Sequence, residues 1–327
     1  MRNESKGRLL AIFFRIMAGE DIYTSELANH YGVSQKSIQR DLNEIKEFFS
    51  DNQGDLVGSS NLYRDPKKKC YRYHNENYLT AKEMFSVMKI LIGTRAYYQT
   101  DLNEILGKLE KFTSRDNIDF LKGLTKKECR EYQGVLAQDN LLLNTLWDLA
   151  HYISEKNEIT IDYVKMNRSQ VERKLKPIAI MFSEYYFYLI AYQDGDEKYT
   201  PKYFRVDRIK KICCHRTKFE LPRNVTFDEG KLRKKIHFMF PGEERNIRFE
   251  FTGPSVQAIL DRIPTARVVA KKNGVSTIEA TTYGTGIKMF LLSQGSWVKV
   301  LSPPSFVREM KEEIQKMASF YEVEKKD

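Results

Sequence analysis

Apolar side chains in the first fifty residues recur at steps of three and four, which is the period of an amphipathic helix. The pattern predicts a first helix that ends near Gly19, a second that Thr24 caps, and a third that Ser34 caps after a turn at Gly32. The predicted inward positions are Leu9, Ile12, Phe13, Ile16, Leu27, Ala28, Tyr31, Ile38, Leu42, Ile45 and Phe49.

The outward face of the third helix is polar. In a helix-turn-helix the first residues of the second motif helix approach base edges, and amide or cationic side chains there can read the major groove or bind phosphate. The predicted DNA contacts on this helix are Ser34, Gln35, Lys36, Ser37, Gln39 and Arg40. A small helical bundle with a solvated polar face is the structural alternative.

Residues 55–73 read as a strand, a turn at Asp65–Pro66 and a second strand. Such a hairpin would form a wing beside the helices. Its cationic side chains gather near the tip, where sequence-independent phosphate contact is their natural use. These predicted contacts are Arg64, Lys67, Lys68, Lys69 and Arg72.

The string from Leu27-Ala through Tyr31-Gly-Val-Ser and Ser37-Ile to Arg40-Asp-Leu and Ile45 resembles the winged helix of DeoR-type bacterial regulators. The resemblance covers about the first 75 residues. It implies that residues 1–78 form a winged helix-turn-helix domain that binds double-stranded operator DNA.

Residues 79–156 read as helices throughout and predict a connector. Thr80–Glu83 and Thr125–Glu128 both fit the capping-box pattern at a helix start. The apolar positions of this segment suit a dimer contact or packing within one domain, and the sequence leaves both open.

The apolar period changes to two after Asn157, which indicates strands. Sequential strands with short turns favour a small, strongly curved antiparallel sheet or barrel over residues 157–222. The four predicted strands are Ile159–Tyr163, Lys174–Phe182, Tyr185–Tyr192 and Tyr203–Ile209.

Two blocks in this stretch resemble the WYL domain. Phe187–Tyr192 stands where that family has its Trp-Tyr-Leu signature, and Tyr203–Ile209 matches its Phe-Arg-Leu-Asp-Arg-Ile block. Phe187 replaces the tryptophan, which keeps an aromatic surface but removes an indole donor. The resemblance implies an Sm-like or SH3-like barrel that senses an anionic ligand, a nucleotide or nucleic acid.

An aromatic strand offers faces for base stacking, and nearby arginines can bind phosphate through paired donors. The ligand residues of first rank are Tyr188, Arg205 and Arg208, followed by Tyr163, Arg168, Ser169, Arg173 and Lys174. Alternating Tyr and Phe side chains also suit an ordinary sheet core. Asp207 is expected to pair locally with a neighbouring arginine.

Residues 223–327 follow a βαββαβ order from Ile247 onward, with a type I′ turn at Asn273–Gly274. This order predicts a ferredoxin-like α/β sandwich. The stretch Met289–Pro303 resembles the C-terminal extension called WCX that follows WYL domains. The resemblance implies a role in dimerisation or ligand contact without deciding between them.

The net charge of +10 is uneven: residues 1–78 carry +1, 79–156 carry 0, 157–222 carry +4 and 223–327 carry +5. The excess outside the predicted DNA reader fits a second anionic partner, or general solubility. The four cysteines include no Cys-x-x-Cys pair, and Cys213-Cys214-His215 follows a strand-like segment, where successive side chains face opposite ways, so no metal site is expected. No run of about 18 apolar residues is present, which predicts a cytosolic protein.

No Walker-type loop, His-Asp metal cluster or nucleophile elbow is present, so neither an enzyme nor a bound cofactor is expected. The sequence therefore predicts an α+β multidomain protein: a homodimeric, ligand-responsive bacterial regulator that reads an inverted repeat, with a phage-defence operon as a candidate target. The alternative is an accessory protein that binds RNA or single strands without promoter specificity.

Overall fold

A computed structural model describes residues 2–52, 60–75, 79–110, 115–134, 142–236 and 239–321. The chain mixes helices with antiparallel sheets and divides into two compact units, residues 1–140 and 141–327. The mixed α+β class is as predicted. Among the described residues, no helix combines the length and the apolar character that crossing a bilayer requires.

Three helices open the first unit: α1 (Arg2–Met17), α2 (Thr24–Tyr31) and α3 (Gln35–Asp51). Ser34 caps α3 as predicted, and Gly32 ends α2 with a φ of 60°. The Thr24 cap is wrong: Thr24 is the first residue of α2, and Tyr23 before it makes no side-chain cap. The apolar stripe predicted for α3 is confirmed, since Ile38, Leu42, Ile45 and Phe49 are buried.

A hairpin of β1 (Ser60–Asp65) and β2 (Cys70–Asn75) follows α3. At its turn the Asp65 carboxylate accepts the backbone N–H groups of Lys67 and Lys68, at 2.9 and 3.2 Å. Ile22, between α1 and α2, forms an isolated antiparallel bridge with β2, in which its N–H and C=O both bond to Tyr71 at 2.9 Å. The part of the predicted wing over residues 55–59 lies outside the described residues.

The first unit continues with α4 (Ala81–Thr94), α5 (Gln99–Glu110) and α6 (Arg115–Arg130). The capping box at Thr80 and Glu83 is confirmed in both directions. The second box is wrong. Thr125 lies inside α6, where its buried hydroxyl donates to the Leu121 carbonyl at 2.9 Å, so the local pattern marks a mid-helix side chain rather than a helix start.

The second unit begins with α7 (Leu142–Ser154), β3 (Asn157–Val164), β4 (Gln170–Ser183), β5 (Tyr186–Gln193), β6 (Lys202–Arg205) and β7 (Ile209–Lys218). These strands form one antiparallel sheet in the order β6-β5-β4-β3-β7, and α7 packs against β3 and β4. The predicted single strand Tyr203–Ile209 is wrong, since a 3₁₀ turn at Val206–Arg208 separates β6 from β7. The sequence also missed β7, an edge strand whose mostly exposed side chains give no apolar alternation.

The C-terminal part contains α8 (Glu229–Lys235), β8 (Glu244–Phe251), α9 (Val256–Arg262), β9 (Arg267–Lys272), β10 (Val275–Tyr283), α10 (Gly286–Ser293), β11 (Val298–Ser302) and α11 (Pro304–Ser319). From β8 onward this is the predicted βαββαβ order, with the sheet in the order β11-β8-β10-β9. Asn273 and Gly274 both have positive φ, as a type I′ turn requires. Phe249 and Phe306 are fully buried in its core.

Helix α8, which the sequence did not predict, joins these two sheets. Leu232 and Ile236 pack on a buried cluster that includes Met181 and Ile190, and Ile236 also forms a bridge with Tyr283 of β10. The side chains of Arg262 and Glu184 form an ion pair between α9 and the turn after β4. The division into four domains stays a prediction. The assignment of these domains to the winged-helix, barrel and ferredoxin-like folds also stays a prediction.

Candidate nucleic-acid and anion-binding sites

Helix α3 has one free face. Gln35, Lys36 and Arg40 are exposed in its first half, opposite the buried apolar stripe. The Ser34 hydroxyl accepts the backbone N–H of Ser37 at 3.1 Å, and the two hydroxyls lie 2.9 Å apart. The two serines therefore cap the N-terminus of α3, whereas the exposed side chains of Gln35, Lys36 and Arg40 can contact a partner.

Gln39 is placed differently from the other predicted contacts on this helix. Its side chain is half-buried, and its amide nitrogen donates to the Tyr71 hydroxyl at 2.5 Å and to Asn43 Oδ1 at 3.4 Å. The sequence missed Tyr71, because the two residues are 32 positions apart and only the hairpin fold brings them together. Gln39 is therefore held in place by β2.

The predicted cations of the hairpin fall into two groups. Arg64, Lys67 and Lys69 are exposed. Lys68 instead reaches Asp21, with Nζ 3.1 Å from the carboxylate. The three exposed cations can therefore bind phosphate directly, whereas Lys68 would first have to break its ion pair with Asp21.

Arg72 belongs with the second group. Its Nε lies 2.9 Å from Asp21 and its Nη1 3.5 Å from Asp65, and its side chain is only 22 % exposed. Backbone N–H bonds, that of Lys68 first, lower the pKa of Asp65, so this carboxylate stays charged beside the arginine. Arg72 therefore ties the hairpin to the segment before α2.

Arg8 and Asp41 fix α3 against α1. Arg8 Nε lies 2.6 Å and Nη2 3.2 Å from the two carboxylate oxygens of Asp41, which is buried. The hydrogen bond that Arg8 donates to Asp41 is the largest cause of the raised pKa of Arg8. This two-point contact sets the rotation of α3 and hence the direction of its free face.

The second candidate site lies where β5 and β6 pair, with Tyr188 opposite Arg205. Arg205 Nε and Nη2 bind the two oxygens of Asp207 at 3.0 and 2.7 Å. The expected local pairing of Asp207 is thus confirmed. The guanidinium carbon lies 3.3 Å from the centre of the Tyr186 ring, so the group stacks on an aromatic face.

Two further tyrosines border this arginine. The Tyr163 hydroxyl accepts the backbone N–H of Arg205 at 3.3 Å. Tyr188 is half-buried beside the apolar cluster under α8, and burial raises its pKa, while the charges of Arg205 and Arg208 act in the opposite direction. The sequence did not single out Tyr186, because a period-two pattern cannot say which ring an arginine will cover.

The remaining predicted ligand residues are placed elsewhere. Arg168 and Ser169 lie on the exposed turn between β3 and β4, where Ser169 bonds to Asn167. Lys174 lies 3.0 Å from Glu158 and 3.4 Å from Asp194, and Arg173 donates to the backbone of its neighbour. The described contacts therefore gather Tyr163, Tyr186, Tyr188, Arg205 and Asp207 into one site, called here the Arg205 cluster.

Metal ligation finds no support in the described part of the chain. No group of three His, Cys, Asp or Glu side chains there is placed to hold an ion. Cys213 and Cys214 are exposed on β7, and the His215 ring nitrogen lies 2.8 Å from the Thr160 hydroxyl.

Comparison with known proteins identifies the segment that carries the Arg205 cluster. Residues 144–214 match the family model of the WYL domain. This WYL segment begins in α7 and ends in β7. It includes the whole Arg205 cluster, and the match fits a regulatory protein.

Two solved structures are distantly similar to this chain. Proteasome accessory factor B/C of Arthrobacter aurescens is 17% identical, with a TM-score of 0.32, over 98% of this chain and 49% of that chain. A CRISPR Cas-related protein is 15% identical, with a TM-score of 0.38, over 76% of each chain. The chain thus spans about half the length of the accessory factor. No curated protein matches the sequence.

Proposed function

We propose that the protein is a ligand-responsive, DNA-binding transcriptional regulator. Residues 1–78 act as a winged helix-turn-helix that reads an inverted-repeat operator as part of a homodimer. The WYL segment acts as an Sm-like barrel that senses an anionic nucleotide or nucleic acid, and the ferredoxin-like C-terminal part, of WCX type, supports it. The observation that carries the proposal is the free face of α3 beside a cationic hairpin.

The DNA-binding part of the proposal rests on complementary roles within the first unit. Gln35, Lys36 and Arg40 present donors of the kind that bind guanine and adenine edges in the major groove. Arg64, Lys67 and Lys69 supply phosphate contacts that position the protein without reading sequence. Because the other face of α3 is buried, the helix can enter the groove without unfolding its own core.

The effector part rests on the Arg205 cluster. The Arg205 guanidinium lies over the face of the Tyr186 ring and already binds a carboxylate through two nitrogens, which is the way a guanidinium binds carboxylate or phosphate oxygens in pairs. Stacking on aromatic faces is also how proteins hold bases of single-stranded nucleic acids. For regulation, this ligand must bind the DNA-competent and incompetent states with different affinity.

Sequencing of genomic fragments that the purified full-length protein retains tests the proposal. The recovered site, a scrambled duplex and a single strand of equal length are then compared by fluorescence anisotropy at physiological salt. We expect the recovered site to bind at least about a thousandfold more tightly than the scrambled duplex. Promoters of phage-defence operons are the first to inspect among the fragments.

Two variants sharpen this test. Lys36→Ala with Arg40→Ala should abolish the preference, whereas Lys46→Ala, an exposed cation in the second half of α3, is the matched control and should preserve it. Equal affinity for all duplexes would refute site-specific regulation. Tight single-strand binding that the double variant leaves unchanged would instead support an accessory nucleic-acid-binding protein.

A further inference from the structure

The anion-binding fork of Arg205 is already filled by the protein itself. Both oxygens of Asp207 lie within 3.0 Å of Arg205 nitrogens, and the two side chains are only 19 % and 14 % exposed. The flat side of the guanidinium is covered by Tyr186. A ligand that binds Arg205 through paired oxygens must therefore take the place of the Asp207 carboxylate.

We propose that Asp207 is an internal competitor that makes the Arg205 cluster selective for a terminal phosphate, a phosphate monoester, over a phosphodiester or a carboxylate. This inference rests on the proposed function, in which Arg205 binds the effector. It assigns to Asp207 a role in choosing the ligand rather than in catalysis or in stability alone.

Charge accounts for the selectivity. A carboxylate or a backbone phosphodiester carries one negative charge, so its exchange for Asp207 replaces one paired anion with an equivalent one. A phosphate monoester carries about −1.5 to −2 at neutral pH and offers three strong acceptor oxygens. The second charge of the monoester is available to Arg208, which follows Asp207 on the same turn. Because Asp207 is part of the same chain, its effective concentration is high, and ligands without that additional charge are excluded.

A further donor lies close to Arg205. The Tyr163 hydroxyl accepts the backbone N–H of Arg205 at 3.3 Å, and a phenol that accepts one hydrogen bond can still donate its own proton to a ligand oxygen. The turn Val206–Arg208 that carries Asp207 packs against β5 and α7. When a ligand displaces Asp207 from Arg205, this turn loses a restraint. Because the turn contacts α7, ligand binding can in this way change the position of a helix.

The test uses the full-length protein and three probes: a short oligothymidylate with a 5′-phosphate, the same strand with a 5′-hydroxyl, and thymidine monophosphate. Binding is measured by calorimetry. We expect the wild-type protein to prefer the phosphorylated strand about tenfold over the hydroxylated one, the effect of one additional charged hydrogen bond. Binding of the monophosphate alone distinguishes a free nucleotide from a strand end as the source of the phosphate.

Asp207→Asn removes the competitor. It should strengthen binding of the hydroxylated strand about tenfold and reduce the preference for the phosphorylated one. Asp162→Asn, an exposed aspartate of β3, makes the same charge change and is expected to alter neither. If Asp207→Asn loses its cooperative melting transition, Asp207→Glu supplies the test. The longer side chain keeps the negative charge but cannot make the same paired contact with Arg205, so the preference for the phosphorylated strand should weaken.

The outcomes separate the two proposals. If Arg205→Gln abolishes binding of all probes while wild-type protein and Asp207→Asn bind both strands equally, the Arg205 cluster is the effector site and the competitor role of Asp207 is refuted. If no probe binds, or if Arg205→Gln binds as wild type does, the effector site itself is refuted and this inference with it.

Discussion

Gln39 on α3 and Tyr71 on β2 share a hydrogen bond of 2.5 Å, from the amide nitrogen to the phenol oxygen. Tyr71 is also the residue whose backbone pairs with Ile22, so one position of the hairpin holds both the segment before α2 and the exposed side of α3. The orientation of the Gln39 amide is thus set before any DNA is bound, which lowers the entropy cost of a base contact.

Tyr71→Phe removes the acceptor and should reduce sequence discrimination while preserving non-specific affinity, because phosphate contacts do not depend on the Gln39 orientation. The measurement is the ratio of affinities for the selected and scrambled duplexes. Tyr63→Phe makes the same change at an exposed position of β1 and serves as control. An unchanged ratio in Tyr71→Phe would show that Gln39 does not read a base.

The salt dependence of DNA binding should separate the two groups of hairpin cations. Lys67→Ala and Lys69→Ala should each reduce the slope of log affinity against log salt by about one phosphate contact. Arg72→Ala should leave the slope nearly unchanged and instead weaken the hairpin, because Arg72 is bound to Asp21 and Asp65. A slope reduction in Arg72→Ala equal to that of Lys67→Ala would contradict this division.

Local patterns predicted the elements well where one face is buried. The stripe of α3, the Ser34 cap and the βαββαβ order each follow from periodicity and from side chains near in sequence. Thr125 shows the limit: the same four-residue pattern that caps α4 at Thr80 occurs inside α6, and only the neighbouring helical residues distinguish the two cases.

The candidate sites were less accessible to sequence reasoning, because their geometry depends on contacts between distant residues. Arg72 was predicted as a phosphate contact from its position on the hairpin, yet Asp21, some fifty residues earlier, holds it. Tyr186 was overlooked and Tyr188 favoured, although it is Tyr186 that the guanidinium of Arg205 covers. Composition supplies the charges, and the fold decides which of them are neutralised.

The ion pair between Arg8 and Asp41 should matter for stability more than a surface pair, because both side chains are largely buried. Asp41→Ala leaves Arg8 without its partner and should cost about 2 kcal/mol in the first unit. Hydrogen exchange of α1 and α3 measures this locally, with Glu44→Ala on the exposed side of α3 as control. Arg8→Ala combined with Asp41→Ala should cost less than the sum of the single changes, and simple additivity would refute the coupling.

Alkaline pH should weaken the junction between the two sheets of the second unit. The pKa of Tyr203 on β6 is raised above its ordinary value. Burial is the larger cause, and the adjacent Tyr283 is the second. The folded protein therefore favours the neutral phenol. The stability that this contributes is fully present below about pH 10, the ordinary tyrosine pKa, and is lost as the pH rises from there through the raised pKa of the folded state.

Tyr203→Phe removes the titrating group and should shift the midpoint of alkaline unfolding to higher pH. Near-UV circular dichroism follows unfolding, and tyrosinate absorbance follows ionisation in the same titration. Tyr321→Phe, at an exposed position after α11, is the matched control and should leave the midpoint unchanged. If Tyr203→Phe and the control unfold at the same pH as the wild type, ionisation of Tyr203 does not limit alkaline stability.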